Sequence, residues 1–255
     1  MSKCIIAETA HRVVRAIRRK VDFDKYDNLQ VLMEQFSHIR LRDGYVLDAF
    51  EVGEFLGSNY QLYARLHDAA ERFPYMPLLE DAIGRDVPLH IAETVPSVFE
   101  CIEYEFNKGS VWEVFLLYIS WQYMPLGWHA NYARTDYIFD KSDLKRLLGK
   151  WPLSGGIRRD KDGREEVVTS VTYTKLGEKV AVYLEDDSIL PKITLLSDCE
   201  AEVEICFWNN WRGLARKSVR VRKEASTTTF HYEEYDTEEA EEKETLVPYH
   251  CGIVF

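Results

Sequence analysis

AEVEICFW, residues 201–208, sets Ala201, Val203, Ile205 and Phe207 against Glu202 and Glu204 with a period of two, the signature of a strand with one face buried. The reading extends outward from it. Ser218–Arg222 alternates in the same way, with Val219 and Val221 against Arg220 and Arg222, and Thr227–Tyr235 and Leu246–Phe255 read as further strands. Upstream, Ile189–Leu196 is one more, and Val167–Thr174 and Lys179–Leu184 flank Lys175-Leu-Gly-Glu178 as a hairpin. Roughly six or seven strands at this spacing predict an antiparallel β-sandwich or an open barrel over residues 167–255.

The composition changes before that region. Residues 149–166, GKWPLSGGIRRDKDGREE, are rich in glycine and charge with almost nothing to bury, so they read as a linker or a long exposed loop. This gives two domains, 1–150 and 167–255. The class is α+β: a mixed N-terminal region of helices and a β-hairpin, then the sheet.

Within residues 1–150, Ile39 and Leu41 alternate with Arg40 and Arg42 before Asp43-Gly44, which predicts a hairpin with a type I′ turn running into Tyr45–Phe50. Ser58–Phe73 fits either a helix, with Leu62, Leu66 and Ala69 in register, or a third strand. Ser97 with Glu100, and Ser110 with Glu113, make two capping boxes. They predict a helix carrying Val98, Ile102 and Phe106, stopped at Asn107-Lys-Gly109, and a second helix antiparallel to it. A third is expected over Lys141–Leu148, with Asp140 as its cap and Gly149 as its stop. At the N-terminus, Val13, Val14, Ile17 and Val21 lie on one helical face, with Arg12, Arg15 and Arg19 on the other.

The bulk numbers narrow the function. At 255 residues and 46% hydrophobic content the chain supports a sizeable core. A net charge of −11 opposes a protein that coats nucleic acid. No apolar run reaches the roughly 20 residues of a membrane span, and no secretory signal is read. Five cysteines at 4, 101, 199, 206 and 251 lack the spacing of a disulfide framework or zinc ribbon, which favours free thiols and the cytoplasm. The phosphate-loop, dinucleotide, zincin and nucleophile-elbow motifs are all missing, so neither a cofactor nor a metal is expected.

His67-Asp68 resembles the His-Asp doublet of metal-dependent phosphohydrolases, but over two residues only. With His38 opening a hairpin, the doublet reads as exposed side chains at a turn. Between Trp112 and Phe139, nine aromatics fall within 28 residues. The helix-start signal accounts for Trp112, Phe115, Leu116, Ile119 and Tyr123 as core. After Pro125 and Gly127 there remain Trp128, His129, Asn131, Arg134 and Asp136, a candidate ligand site: arginine for a carboxylate or phosphate, histidine as a base, aspartate to orient either.

The basic stretch Arg212–Lys223 is followed by residues 233–244, eight acids against one lysine. That acidic segment, with Glu238, Glu239, Glu241 and Glu242, is the candidate surface for a basic partner. The leading expectation is a non-catalytic interaction protein that binds a macromolecule, an immunity protein or antitoxin being one concrete form. The alternative is an enzyme or small-ligand binder with an aromatic-lined pocket near residues 128–136.

Overall fold

A computed structural model of the chain describes residues 3–20, 29–54, 57–68, 97–123, 135–149, 156–159, 165–168, 170–210, 212–232 and 245–249. These form two units. Unit 1 takes the described residues of Met1–Asn131, Ile193–Glu202 and Arg220–His231, and unit 2 those of Tyr132–Lys192, Val203–Val219 and Tyr232–Phe255.

In unit 1, α1 (Lys3–Lys20) buries Ala10, Val13, Val14 and Ile17 and leaves Arg15 and Arg19 exposed, as the helical spacing predicts. Arg12 is half-buried instead, its Nη2 donating to the Gln35 carbonyl at 3.1 Å. After the single turn α2 (Gln30–Met33) come β1 (Arg40–Leu41), β2 (Tyr45–Glu54) and β3 (Gly57–Leu66).

The expected hairpin across Asp43-Gly44 is corrected. A turn is present, with Tyr45 N–H donating to the Arg42 carbonyl at 3.1 Å, but only Gly44 has positive φ, at 85°. Type I′ needs positive φ at both central positions, and turns with the other twist splay their arms. Accordingly β2 pairs with β3, from Tyr45 opposite Leu66 to Glu54 opposite Gly57, which resolves the first part of Ser58–Phe73 as strand. Buried Asp48 accepts from Arg65 Nε across this hairpin at 2.7 Å. β1 pairs instead with β4 (Ile102–Glu103), Arg40 opposite Glu103 and Leu41 opposite Ile102.

That pairing also overturns the helix expected after Ser97. Its hydroxyl does accept from Phe99 N–H, but it caps only a 3₁₀ turn, Val98–Glu100, before the chain extends into β4. Cross-strand contact with a segment some 60 residues away outweighs a local helix signal. There is therefore no αα-hairpin. Asn107, expected as a stop, is the cap of α3 (Lys108–Ile119): it accepts from Gly109 and Ser110 N–H, while Ser110 accepts from the Asn107 N–H. Every residue of α3 from Gly109 to Leu117 is buried, so this helix is the core of its unit rather than an amphipathic surface helix. Trp112, Phe115, Leu116, Ile119 and Tyr123 are core as expected, and Trp112 Nε1 donates to the Ile6 carbonyl at 2.9 Å.

In unit 2, β5 (Thr135–Ile138) leads into α4 (Lys141–Gly149), where Asp140 caps as predicted by accepting from Ser142 N–H at 2.7 Å. Within the expected linker, β6 (Gly156–Arg159) pairs with β7 (Glu165–Val168). The hairpin expected around Lys175–Glu178 is a helix, α5 (Ser170–Ala181). Leu176 and Val180, four apart, enter a core with Ile138, Leu144, Leu147, Ile189, Cys206, Trp208, Leu214 and Val247. Packing at helical spacing overrides the β propensity of the Val and Thr around them.

The remaining strands are β8 (Lys192–Leu195), β9 (Glu200–Asn209), β10 (Gly213–Lys223), β11 (Thr228–Tyr232) and β12 (Thr245–Pro248). They join β5 in a six-stranded open sheet of order β11-β10-β9-β5, with β8 on β9 and β12 on β10. The architecture is thus a mixed α/β N-terminal region followed by an open, multi-stranded antiparallel sheet. β9 alternates in burial as far as Glu204, and from Ile205 to Trp208 both faces are buried.

Cys101, Cys199 and Cys206 are free thiols. Burial pushes the Cys101 and Cys206 thiols above the usual range, outweighing the opposing pull of Arg42 on the first and of Arg216 on the second. A raised thiol holds less thiolate near neutral pH and alkylates more slowly. Brief iodoacetamide treatment of the folded protein, read by peptide mass spectrometry, is expected to label exposed Cys199 well ahead of Cys101 and Cys206. Equal labelling of all three would contradict this packing.

Candidate functional site

Within unit 1, the segment from Phe99 to Tyr104 faces the turn that joins β10 to β11. Lys223 ends β10, Glu224 N–H donates to the Thr227 carbonyl at 2.8 Å to close the turn, and Thr228 opens β11. Two ties hold the segment and the turn together. The Tyr104 and Thr228 hydroxyls are 2.7 Å apart, and Lys223 Nζ donates to the Tyr104 carbonyl while lying 4.5 Å from the centre of the Tyr104 ring. Burial pushes the Tyr104 phenol up, against the opposing pull of the Thr228 hydrogen bond.

Arg42 arrives from the other side. Its N–H donates to the Cys101 carbonyl at 2.8 Å, extending the β1–β4 ladder by one residue. Neighbouring Arg40 is engaged by Glu103 at 2.9 Å, an exposed pair worth little to stability. The Arg42 guanidinium has no acceptor among the described residues. Phe99 supplies the apolar wall, braced edge-on by Phe230 at 4.7 Å, which in turn stacks on Tyr118 at 4.0 Å.

Between them lies a cleft of about 420 Å³, lined chiefly by Arg42, Phe99, Tyr104, Lys223, Ser226 and Thr227. It combines an aromatic wall, a cation and hydroxyl donors, the usual furniture of a small-ligand site.

This is not the site expected from sequence. Of that set only Asp136 is described: it is half-buried in β5, opposite Trp208 of β9. Trp128, His129, Asn131 and Arg134 lie outside the described residues, as do Glu238, Glu239, Glu241 and Glu242. His67 and Asp68 follow the end of β3 with side chains 76% and 100% exposed, a turn as read. The basic stretch of β10 is largely engaged by the fold: Arg216 with the Ser188 carbonyl, Lys217 with the Tyr137 hydroxyl, Arg222 with Glu200 and Lys223 with Tyr104.

Sequence reading missed the cleft because its residues come from three separate stretches and form no local motif. The nearest signal is the hydroxyl run Ser226-Thr-Thr-Thr229 directly after Lys223-Glu224. Among the described residues no helix is long and apolar enough to cross a membrane. No family model, no curated protein and no solved structure matches the chain.

Proposed function

We propose that this protein binds a small ligand in the cleft between the Phe99–Tyr104 segment and the β10–β11 turn. The observation that carries the reading is a guanidinium without an acceptor among the described residues, set beside an aromatic wall. The cleft volume falls inside the range of roughly 300–1,000 Å³ typical of ligand sites.

The binding is read by thermal shift with a panel of small acids, amines and neutral aromatics, against wild type and Ser226→Trp. Ser226 is exposed on the turn, so the larger side chain obstructs the cleft without disturbing a core. Some members of the panel are expected to raise the melting temperature saturably in wild type and to lose the effect in the variant. A panel that moves neither protein, or moves both alike, would count against the cleft. The free thiols support a reducing compartment, and we place the protein in the cytoplasm as part of the same proposal.

A further inference from the structure

We infer that the ligand of this cleft carries an oxyanion, a phosphate or a carboxylate, attached to a planar apolar body, with Arg42 as the residue that reads its charge. The inference rests on the ligand-binding reading above and narrows it. Four charged side chains line the cleft, and the formal balance of Arg42, Lys223, Glu103 and Glu224 is zero. Their engagements are unequal, and these decide the sign of what is free to bind.

Glu103 is paired with Arg40 at 2.9 Å, both side chains being exposed to water. Lys223 is held to the Tyr104 carbonyl and lies over the Tyr104 ring, so moving it to a ligand breaks two contacts that shape the cleft. Glu224 is exposed, as Arg42 is, but accepts from the Thr229 hydroxyl at 3.3 Å. Arg42 has no such engagement among the described residues.

The hydroxyls agree with a positive site. The Thr228 hydroxyl is engaged by Tyr104, whereas those of Ser226 and Thr227 have no hydrogen-bond partner among the described residues and can donate. A guanidinium presents a planar fork of donors that matches a carboxylate or phosphate in bidentate fashion. The Phe99 ring then faces the rest of the ligand, where a flat apolar group gains most.

The test titrates the full chain with phenyl phosphate, benzoate, inorganic phosphate and benzyl alcohol, using calorimetry and thermal shift. Wild type, Arg42→Gln, Arg42→Lys and Ser226→Trp are compared. Phenyl phosphate or benzoate is expected to bind roughly tenfold or more tightly than benzyl alcohol, since a hydrogen bond to a charged group is worth that much. The preference is expected to fall by a similar factor in Arg42→Gln, to be only partly kept by Arg42→Lys, and to weaken with added salt. The stronger of the two anions names the class.

If benzyl alcohol binds as well as the anions and Ser226→Trp abolishes it, the oxyanion inference is overturned while the ligand site stands. Anion binding unchanged in Arg42→Gln overturns it too. Should none of the probes bind wild type, both readings fall.

Discussion

Glu113→Ala is expected to lower the folding stability of unit 1 by about 2–4 kcal/mol. The Glu113 carboxylate, only 2% exposed on α3, accepts from the backbone N–H of three successive residues: Ser37 at 2.9 Å, His38 at 2.6 Å and Ile39 at 3.1 Å. It also accepts from the Ser37 hydroxyl at 3.0 Å and from His38 Nδ1 at 2.9 Å. One side chain thus satisfies the whole bend that leads into β1, and so fixes where Arg42 enters the cleft. Removing it orphans several donors at once, which costs more than losing single bonds.

Ser37 and His38 are exposed residues, and water replaces part of the loss, so the expected cost stays below the sum of five bonds. Glu113→Gln keeps one acceptor oxygen but turns an NH₂ toward donors, and should cost about half as much. The His38 side-chain contact is the smaller part: that side chain is 42% exposed, so His38→Ala is expected to cost less than about 1 kcal/mol. Urea midpoints at unchanged slope measure all three. An alanine variant as stable as wild type, or one no worse than His38→Ala, would refute the role of the backbone donors.

This latch shows where sequence reading stops. Glu113 was visible as the second half of a capping box, yet its partners lie some 75 residues away, and the box that forms is Asn107 with Ser110. Residues 201–208 and the aromatic helix were legible because burial on one face or all round imposes a pattern every few residues. Asp140 was legible because a cap and its helix are adjacent. Ser97–Phe106 and residues 170–181 were misread for one physical reason. Their local propensity is weak, and what decides them is a distant partner: Leu41 opposite Ile102 in the first, and Leu144 and Leu147 in the same core as Leu176 and Val180 in the second. The cleft is the extreme case, since Arg42, Phe99 and Thr227 share no period at all.

Gly213→Ala is expected to destabilise unit 2 by about 3 kcal/mol or more, and Gly44→Ala to cost only about 1–2 kcal/mol. Both glycines have left-handed backbone, with φ of 87° and 85°, so the conformational penalty is common to the two. They differ in what a Cβ would meet. At Gly44 nothing lies within 4 Å, whereas at Gly213 it would fall 2.2 Å from the Val247 carbonyl oxygen and 2.6 Å from the Tyr249 nitrogen. These are backbone atoms of the neighbouring strand and cannot rotate away. Relief requires β12 to move off β10, at the pairing of Gly213 with Pro248 and Leu214 with Val247. That shift pulls Val247 from the core and separates Tyr249 from Trp208, whose rings stack at 5.4 Å. The two variants therefore separate steric from conformational cost. Hydrogen exchange should quicken at Leu214 and Val247 in Gly213→Ala alone, and urea midpoints should fall further for it than for Gly44→Ala. If the two substitutions cost the same and β12 stays protected, its close approach to Gly213 is disproved.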